Sequence, residues 1–264
     1  MEFILPDNIK RYTGDKPFKT DNIGMSGSAV LEFENMVLKI ENYRETNDKT
    51  VEVMKWLVEK IPVPEVMAYE VSDGKSYLLM SKVEGKMSCD EYYLENPDEL
   101  LELLCEALEM LWAVDISECP RDRGLDTELE EAFYRIENGL VDVENTMPET
   151  FGEGGFENPM ALYKWLCENK PKNYEPVLSH GDFCLPNVFL KDGKVAGFID
   201  LGDTGTGDKW RDIALLYRSL KWNFDGTFGG KVYENFSPDM LFDYLKITPD
   251  YQKLRYYILL DELF

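Results

Sequence analysis

LSHGDFCLPNVFLKDGKVAGFID, residues 178–200, decides the reading of this 264-residue chain. It holds Asp182, Asn187 five positions later, and Asp200 opening an Asp-Leu-Gly segment. That spacing suits phosphoryl transfer, where one carboxylate receives the acceptor's proton and an amide and a second carboxylate hold Mg²⁺. Magnesium takes hard oxygen ligands in near-octahedral geometry, so Asn187 and Asp200 must face each other. Val188-Phe189-Leu190 and Val195 to Ile199 are apolar, strand-like runs, and Lys191-Asp192-Gly193-Lys194 between them carries a hairpin signal. The asparagine enters one strand and the aspartate leaves the other, so the hairpin brings both to one end.

Singly, such residues are more often turn and cap residues. Their joint spacing carries the argument, and it requires a nucleotide cradle upstream. Asn22 to Phe33 reads as a glycine turn leading into a strand, with Gly24, Ser26 and Gly27 placed to cover phosphates through main-chain N–H groups. Met36-Val37-Leu38-Lys39-Ile40 sets a lysine inside an apolar strand. A half-buried ammonium needs an anionic partner, and nucleotide phosphates supply one. His180, the only histidine, excludes a multi-histidine metal centre and is expected to be buried and to shape the loop.

The chain resembles the aminoglycoside 3′-phosphotransferase family of the protein-kinase-like superfamily. The resemblance runs through the 24–30 loop, Lys39, Ile61-Pro62-Val63-Pro64, Tyr77 to Ser81, Ser179 to Asn187, the Asp200 segment and the ending Tyr256 to Phe264. It implies an α+β, two-lobed, protein-kinase-like fold: residues 1–83 as a small antiparallel-sheet lobe with one helix, ending in a hinge, and 84–264 as a larger, mostly helical lobe. It further implies ATP or GTP and Mg²⁺ as cofactors, with phosphorylation of an antibiotic hydroxyl, the 3′ one expected, as the resistance activity. Asp182 is then the catalytic residue and Asn187 with Asp200 the metal pair. Gly24, Ser26, Gly27, Lys39, Glu52, hinge residues Ser81 and Val83, and the apolar Phe189 and Ile199 surround the nucleotide. The substrate's ammonium groups fall to Glu157, Asp225, Asp261, Glu262 and Phe264.

Departures from the family pattern are equally specific. Asp203 stands where these enzymes usually carry arginine, and Val37 where some carry an adenine-stacking aromatic. Thr50 aligns with the helical glutamate that pairs with the strand lysine, leaving Asp48 and Glu52 as replacements, with Glu52 preferred.

Composition narrows the partners. With 51 Asp plus Glu against 28 Lys plus Arg, the net charge is −23. Such a field repels nucleic acid and anionic membranes and draws polycations to a cleft, though acidity also serves solubility alone. Five cysteines with no Cys-x-x-Cys spacing argue against a disulfide framework or thiolate zinc site. The absence of a leader-like start or a membrane-length apolar run predicts a cytoplasmic enzyme, monomeric or weakly dimeric. The alternatives are a kinase for another small cationic alcohol or amino sugar, and a non-catalytic acidic protein that sequesters cations.

Leucines at helical spacing over 98–114, after Asn96-Pro97, predict a core helix. Further helices are expected over 51–59, 126–140, 159–169, 209–221, 238–245 and 249–260.

Overall fold

The computed structural model describes residues 5–21 and 29–264. Its first layer is a five-stranded antiparallel sheet: β1 (Lys19–Asp21), β2 (Ala29–Glu32), β3 (Met36–Asn42), β4 (Val66–Ser72) and β5 (Lys75–Ser81), in the order β1-β2-β3-β5-β4. Helix α1 (Asp7–Thr13) precedes it and α2 (Glu45–Leu57) joins β3 to β4. In β3, Met36, Leu38 and Ile40 are buried while Val37, Lys39 and Glu41 alternate onto the other face. That alternation puts Lys39 and Glu41 side by side, facing out of the core. The residues read as a hinge fall in the link from β5 to the short β6 (Lys86–Met87).

The second layer is mainly helical: α3 (Glu91–Glu95), α4 (Pro97–Trp112), α5 (Leu125–Glu137), α6 (Pro148–Phe151), α7 (Pro159–Glu168), α8 (Lys209–Phe224), α9 (Met240–Leu245) and α10 (Tyr251–Asp261). Each major helix begins where its local chemistry allows. Pro97 occupies the first turn of α4, where its missing N–H costs nothing. Asn158, Asp208 and Asp250 cap α7, α8 and α10 by accepting main-chain N–H bonds. The leucine stripe of α4 is core, with Leu100, Leu101, Leu104, Leu108 and Leu111 essentially inaccessible. At roughly 1.5–3 kcal/mol for each fully buried leucine, this helix is a principal anchor of the fold.

Two small β units carry the site. β7 (Pro176–Ser179) pairs antiparallel with β10 (Gly205–Asp208), and β8 (Val188–Lys191) pairs with β9 (Lys194–Phe198) and β6. The β8–β9 turn has Asp192 and Gly193 both at positive φ, as a type I′ connection demands. The sequence therefore predicted the hairpin, but not the β7–β10 pair, whose strands are 25 residues apart. Helix α2 begins six residues before the expected 51, because Asn47 accepts the Arg44 N–H at 2.7 Å and starts the helix early.

The core falls into two clusters. Ile9, Leu31, Leu38 and Leu79 pack on one face of the five-stranded sheet. The other cluster runs from Val51, Val53, Met54 and Leu57 of α2 into the helical layer. Helix α2 is thus packed as part of the larger core, beside the site. All five cysteines are free. Among the described residues no helix is long and apolar enough to cross a membrane.

Candidate active site

The catalytic loop hangs from α8. Asp212, fully buried, accepts from Ser179 Oγ at 2.9 Å and from the His180 and Gly181 N–H groups at 3.0 Å each. Arg211 Nε donates to the Gly181 carbonyl at 2.9 Å, and Ser219 Oγ accepts the Leu185 N–H at 3.0 Å. Gly181 sits at φ +83°, and an added Cβ would meet the Asp203 carbonyl oxygen at 2.3 Å, so only glycine fits. The helix was legible in the sequence; the three supports on its inner face were not, since a helical Asp or Arg is usually a solvated residue.

His180 is buried as expected. Its Nδ1 accepts the Asp182 N–H at 3.3 Å, which leaves Nε2 as the donor to the Ile199 carbonyl at 3.0 Å. Both ring nitrogens are committed in the neutral form, and burial pushes its pKa down. It ties the catalytic loop to the strand end that presents Asp200.

Asp182 and Asn187 meet directly. Asn187 Nδ2 donates to Asp182 Oδ2 at 2.8 Å and to the Asp182 carbonyl at 2.9 Å. The Ile199 N–H donates to the Asn187 carbonyl at 3.0 Å, which fixes Asn187 one residue from Asp200 across the hairpin. Asp200 adopts the left-handed region at φ +56°, a conformation aspartate tolerates better than most residues. Burial raises the Asp182 pKa to about 6, reinforced by the like charges of Asp261, Asp200 and Asp203.

Lys39 reaches this group from β3. Its Nζ lies 3.2 Å from Asp200 Oδ1 and 3.1 Å from Glu41 Oε1. Burial alone would lower the ammonium's pKa, but Asp200 and Glu41 outweigh it and raise it. The expected partner Glu52 is corrected here. Glu52 lies on the exposed face of α2 and pairs with Lys49 at 2.7 Å, because Val51, Val53 and Met54 take the inward positions. Asp48, the other alternative, accepts from Tyr43 and Tyr69. Lys39 finds its anion on its own strand, two residues on, and Glu41 in turn accepts from Asn47 Nδ2 of α2 at 3.1 Å.

The nucleotide positions are partly within view. Gly24, Ser26 and Gly27 lie outside the described residues. After β5, Ser81 Oγ accepts the Glu65 N–H and the Ser81 N–H donates to the Glu65 carbonyl, each at 2.9 Å, while Val83 makes no main-chain hydrogen bond among the described residues. Val83 covers Gly197 of β9, where an added Cβ would stand 2.9 Å from its Cγ1. Phe189 and Ile199 are half-buried beside fully buried neighbours.

The residues fit Mg²⁺. Asn187 spends its amide nitrogen on Asp182, leaving Oδ1 to face a cation, and the Asp200 carboxylate is half-exposed. Among the described residues no three Asp, Glu, His or Cys side chains converge as a self-sufficient metal cage. Two protein ligands plus phosphate oxygens is how Mg²⁺ is commonly held.

The C-terminal carboxylates are engaged with arginines. Asp261 lies 2.5 Å from Arg218 Nη2 and 3.5 Å from Arg211 Nη2. Glu262 is buried, accepts the Met147 N–H at 2.7 Å and lies 3.4 Å from Arg218 Nη1. The Phe264 ring has the guanidinium carbons of Arg123, Arg135 and Arg211 at 5.6, 5.7 and 5.7 Å, and its carbonyl accepts from Arg135. Glu157 is exposed just before the α7 cap. Asp225, at the end of α8, accepts the Thr227 N–H of its own turn at 2.9 Å. Asp203, at the place of the family arginine, pairs with Arg123 Nη2 at 3.1 Å.

A proton acceptor, an amide–carboxylate pair and a strand lysine gathered beside a hinged sheet lobe define a phosphotransferase of the protein-kinase-like fold. The family model described as "Phosphotransferase enzyme family" matches residues 29–257, and the chain belongs to that family. An aminoglycoside 3′-phosphotransferase from Enterococcus faecalis is 41% identical over 92% of each chain. One from Campylobacter jejuni is 36% identical over 91% of this chain and 94% of its own. Among solved structures, a 3″ aminoglycoside phosphotransferase from Streptomyces rimosus superposes with a TM-score of 0.81 at 24% identity, covering 97% of this chain and 95% of that one.

Proposed function

We propose that this chain transfers the terminal phosphoryl group of ATP to the 3′ hydroxyl of an aminoglycoside, giving ADP and the antibiotic phosphate. The carrying observation is the Asp182–Asn187–Asp200–Lys39 constellation. The acceptor and its regiochemistry rest on the relatives' names at 36–41% identity.

Asp182 orients the acceptor hydroxyl and takes its proton late in the transfer, as the new O–P bond forms and the bond to ADP breaks. Asn187 Oδ1 and Asp200 hold Mg²⁺, which when bound neutralises charge on the nucleotide oxygens. Lys39 steadies the phosphates while Glu41 keeps its ammonium oriented. Gly24, Ser26 and Gly27 cover the phosphates, and Ser81 and Val83 present main-chain groups to the adenine between Phe189 and Ile199. Asp261, whose charge acts on Asp182 more strongly than that of Asp200 or Asp203, is the principal contact for a substrate ammonium. Glu262 and Phe264 frame it, with Glu157 and Asp225 on flanking loops. The reaction belongs in the cytoplasm, where ATP is available and the free cysteines stay reduced.

The test is ADP release with purified protein across kanamycin, other aminoglycosides, choline and amino sugars. Release with kanamycin and with a 3′-hydroxyl antibiotic, but not with its 3′-deoxy analogue, supports the reading. Release only with choline or a simple amino sugar overturns the substrate, and no release with tight cation binding overturns the activity.

A further inference from the structure

Among the described residues Lys39 has no helical glutamate as partner, yet α2 is still fastened to the site. The fastening comes from Arg121, in the segment between α4 and α5. Its Nη2 donates to the Thr46 carbonyl and to Thr50 Oγ1 of α2, each at 3.0 Å, and its Nη1 donates to the Gly202 carbonyl. Thr50 occupies the very position where the resembled family carries its glutamate. Gly202 lies two residues beyond Asp200, whose carboxylate holds Lys39. We propose that Arg121 is a positioning residue that clamps α2 to the Asp200 loop and so sets the Lys39–Asp200 geometry for the nucleotide, replacing a lysine–glutamate pair with an arginine bridge.

The bridge has a firm base and a chemistry that suits it. The Arg121 carbonyl accepts the Thr206 N–H at 2.9 Å, pinning its backbone to β10. Thr50 Oγ1 donates on to the Thr46 carbonyl at 2.9 Å, so the hydroxyl both receives from Arg121 and passes its own proton into the helix. A planar guanidinium can serve acceptors on two separate elements at once, whereas a lysine ammonium is a point donor on a flexible stem. Asp203 completes the exchange: it pairs with Arg123 at 3.1 Å beside the bridge and adds to the negative field around Arg121. Thr50, Asp203 and Arg121 therefore form one rearrangement, in which the acid moves off the helix onto the loop and the cation comes from the α4–α5 segment. A second tie, Asn47 to Glu41 to Lys39, works on the sheet side. Arg121 is the one that crosses to the metal-binding loop.

This inference rests on the proposed nucleotide site, so the test reads nucleotide binding rather than turnover. MgADP affinity is measured by calorimetry for wild type, Arg121→Met, Arg121→Lys and Thr50→Val, alongside kanamycin affinity, melting temperature and hydrogen exchange of α2 and residues 200–204. Losing a group of hydrogen bonds predicts about tenfold weaker MgADP binding for Arg121→Met. Arg121→Lys loses most of the same affinity despite keeping its charge, and Thr50→Val loses about two- to threefold. Amide exchange in α2 quickens, while kanamycin affinity stays at the wild-type value. A folded Arg121→Met protein with wild-type MgADP affinity overturns the proposal, as does an equal loss of MgADP and kanamycin affinity. If Arg121→Met does not fold, Thr50→Val decides, and unchanged affinity there overturns it. Arg121-dependent MgADP binding without phosphorylation of any aminoglycoside refutes the proposed substrate and leaves the bridge standing.

Discussion

Asn187 donates its side-chain amide to the Asp182 carboxylate at 2.8 Å, so one residue fixes the proposed proton acceptor while its own Oδ1 is not spent on that carboxylate. The five-residue spacing in the sequence becomes a hydrogen bond because a short 3₁₀ turn, Leu185–Asn187, folds the chain back on the loop. Asp182 and Asn187 are thereby coupled through one acceptor oxygen, which an asparagine at 182 still supplies.

Asp182→Asn removes the acceptor while keeping the shape. Turnover with kanamycin falls by about 10²–10⁴-fold, the usual worth of a positioned general base. MgADP affinity stays near wild type, because Asp182 does not hold the phosphates. Steady-state kinetics with parallel calorimetry checks both, and near-normal turnover would remove Asp182 from its role.

The pH dependence follows from the same carboxylate. Burial and the neighbouring Asp261, Asp200 and Asp203 raise Asp182 to about 6, so kcat/KM climbs as pH rises through that value and then levels. Replacing Asp261 with asparagine removes one repelling charge and moves the limb to lower pH. For stability the sign is opposite. Asp182 titrates near 3.8 when unfolded and higher when folded, so its ionisation costs stability as pH rises from 3.8 through 6. Melting curves at pH 5 and 8 should therefore show Asp182→Asn gaining more on wild type at pH 8 than at pH 5, where part of the cost is already present.

Glu41→Gln leaves Lys39 with Asp200 as its one ionic partner among the described residues and weakens the tie to Asn47. The KM for ATP is expected to rise about three- to tenfold, with the kanamycin KM unchanged. Glu52→Gln, on the outer face of α2, leaves both constants alone. A larger effect from Glu52 than from Glu41 would contradict the geometry.

Asp212→Ala strips the catalytic loop of a buried acceptor for three donors. The cost is about 3–5 kcal/mol in chemical denaturation. Asp212→Asn also costs stability, because an amide keeps one acceptor oxygen where Oδ1 and Oδ2 are both used.

Glu128 is the buried counter-charge at the C-terminal end, 3.1 Å from Arg211 Nη1 and 3.6 Å from Arg123 Nη2. These are ion-pair distances without hydrogen-bond geometry, so direct charge pairing is the main link. Glu128→Ala leaves Arg123 to Glu131 and Asp203, and Arg211 to Asp261 alone, and is expected to lower stability by the same measurement, by less than the roughly 3–5 kcal/mol of a fully unpaired buried charge. Since Arg211 also holds the Gly181 carbonyl, turnover should fall with stability.

The β8–β9 hairpin was readable because Asp-Gly between two apolar runs has a local meaning: the turn needs two positive φ values and the strands need a buried face. Helix α4 was readable for the same reason, as a leucine period with a proline start. Spacing alone points to Glu52 as the Lys39 partner, because it does not say which face of α2 packs inward. Glu41 was overlooked although the signal was present, since residues two apart on a strand always share a face. Arg211, Asp212 and Arg121 had no local signal, because their partners lie about 30 to 80 residues away.

By itself the amino-acid order determined the hairpin, the helical periods, the catalytic spacing and the acidic field, all of which arise from neighbours along the chain or from simple charge counts. Tertiary structure alone decided which carboxylate serves Lys39, how α8 suspends the catalytic loop, why the C-terminal acids are bound up with arginines, and that an arginine bridge fastens α2. The physical reason is that a buried charge must find a partner within a few ångströms, and which groups come that close is settled by packing rather than by sequence distance.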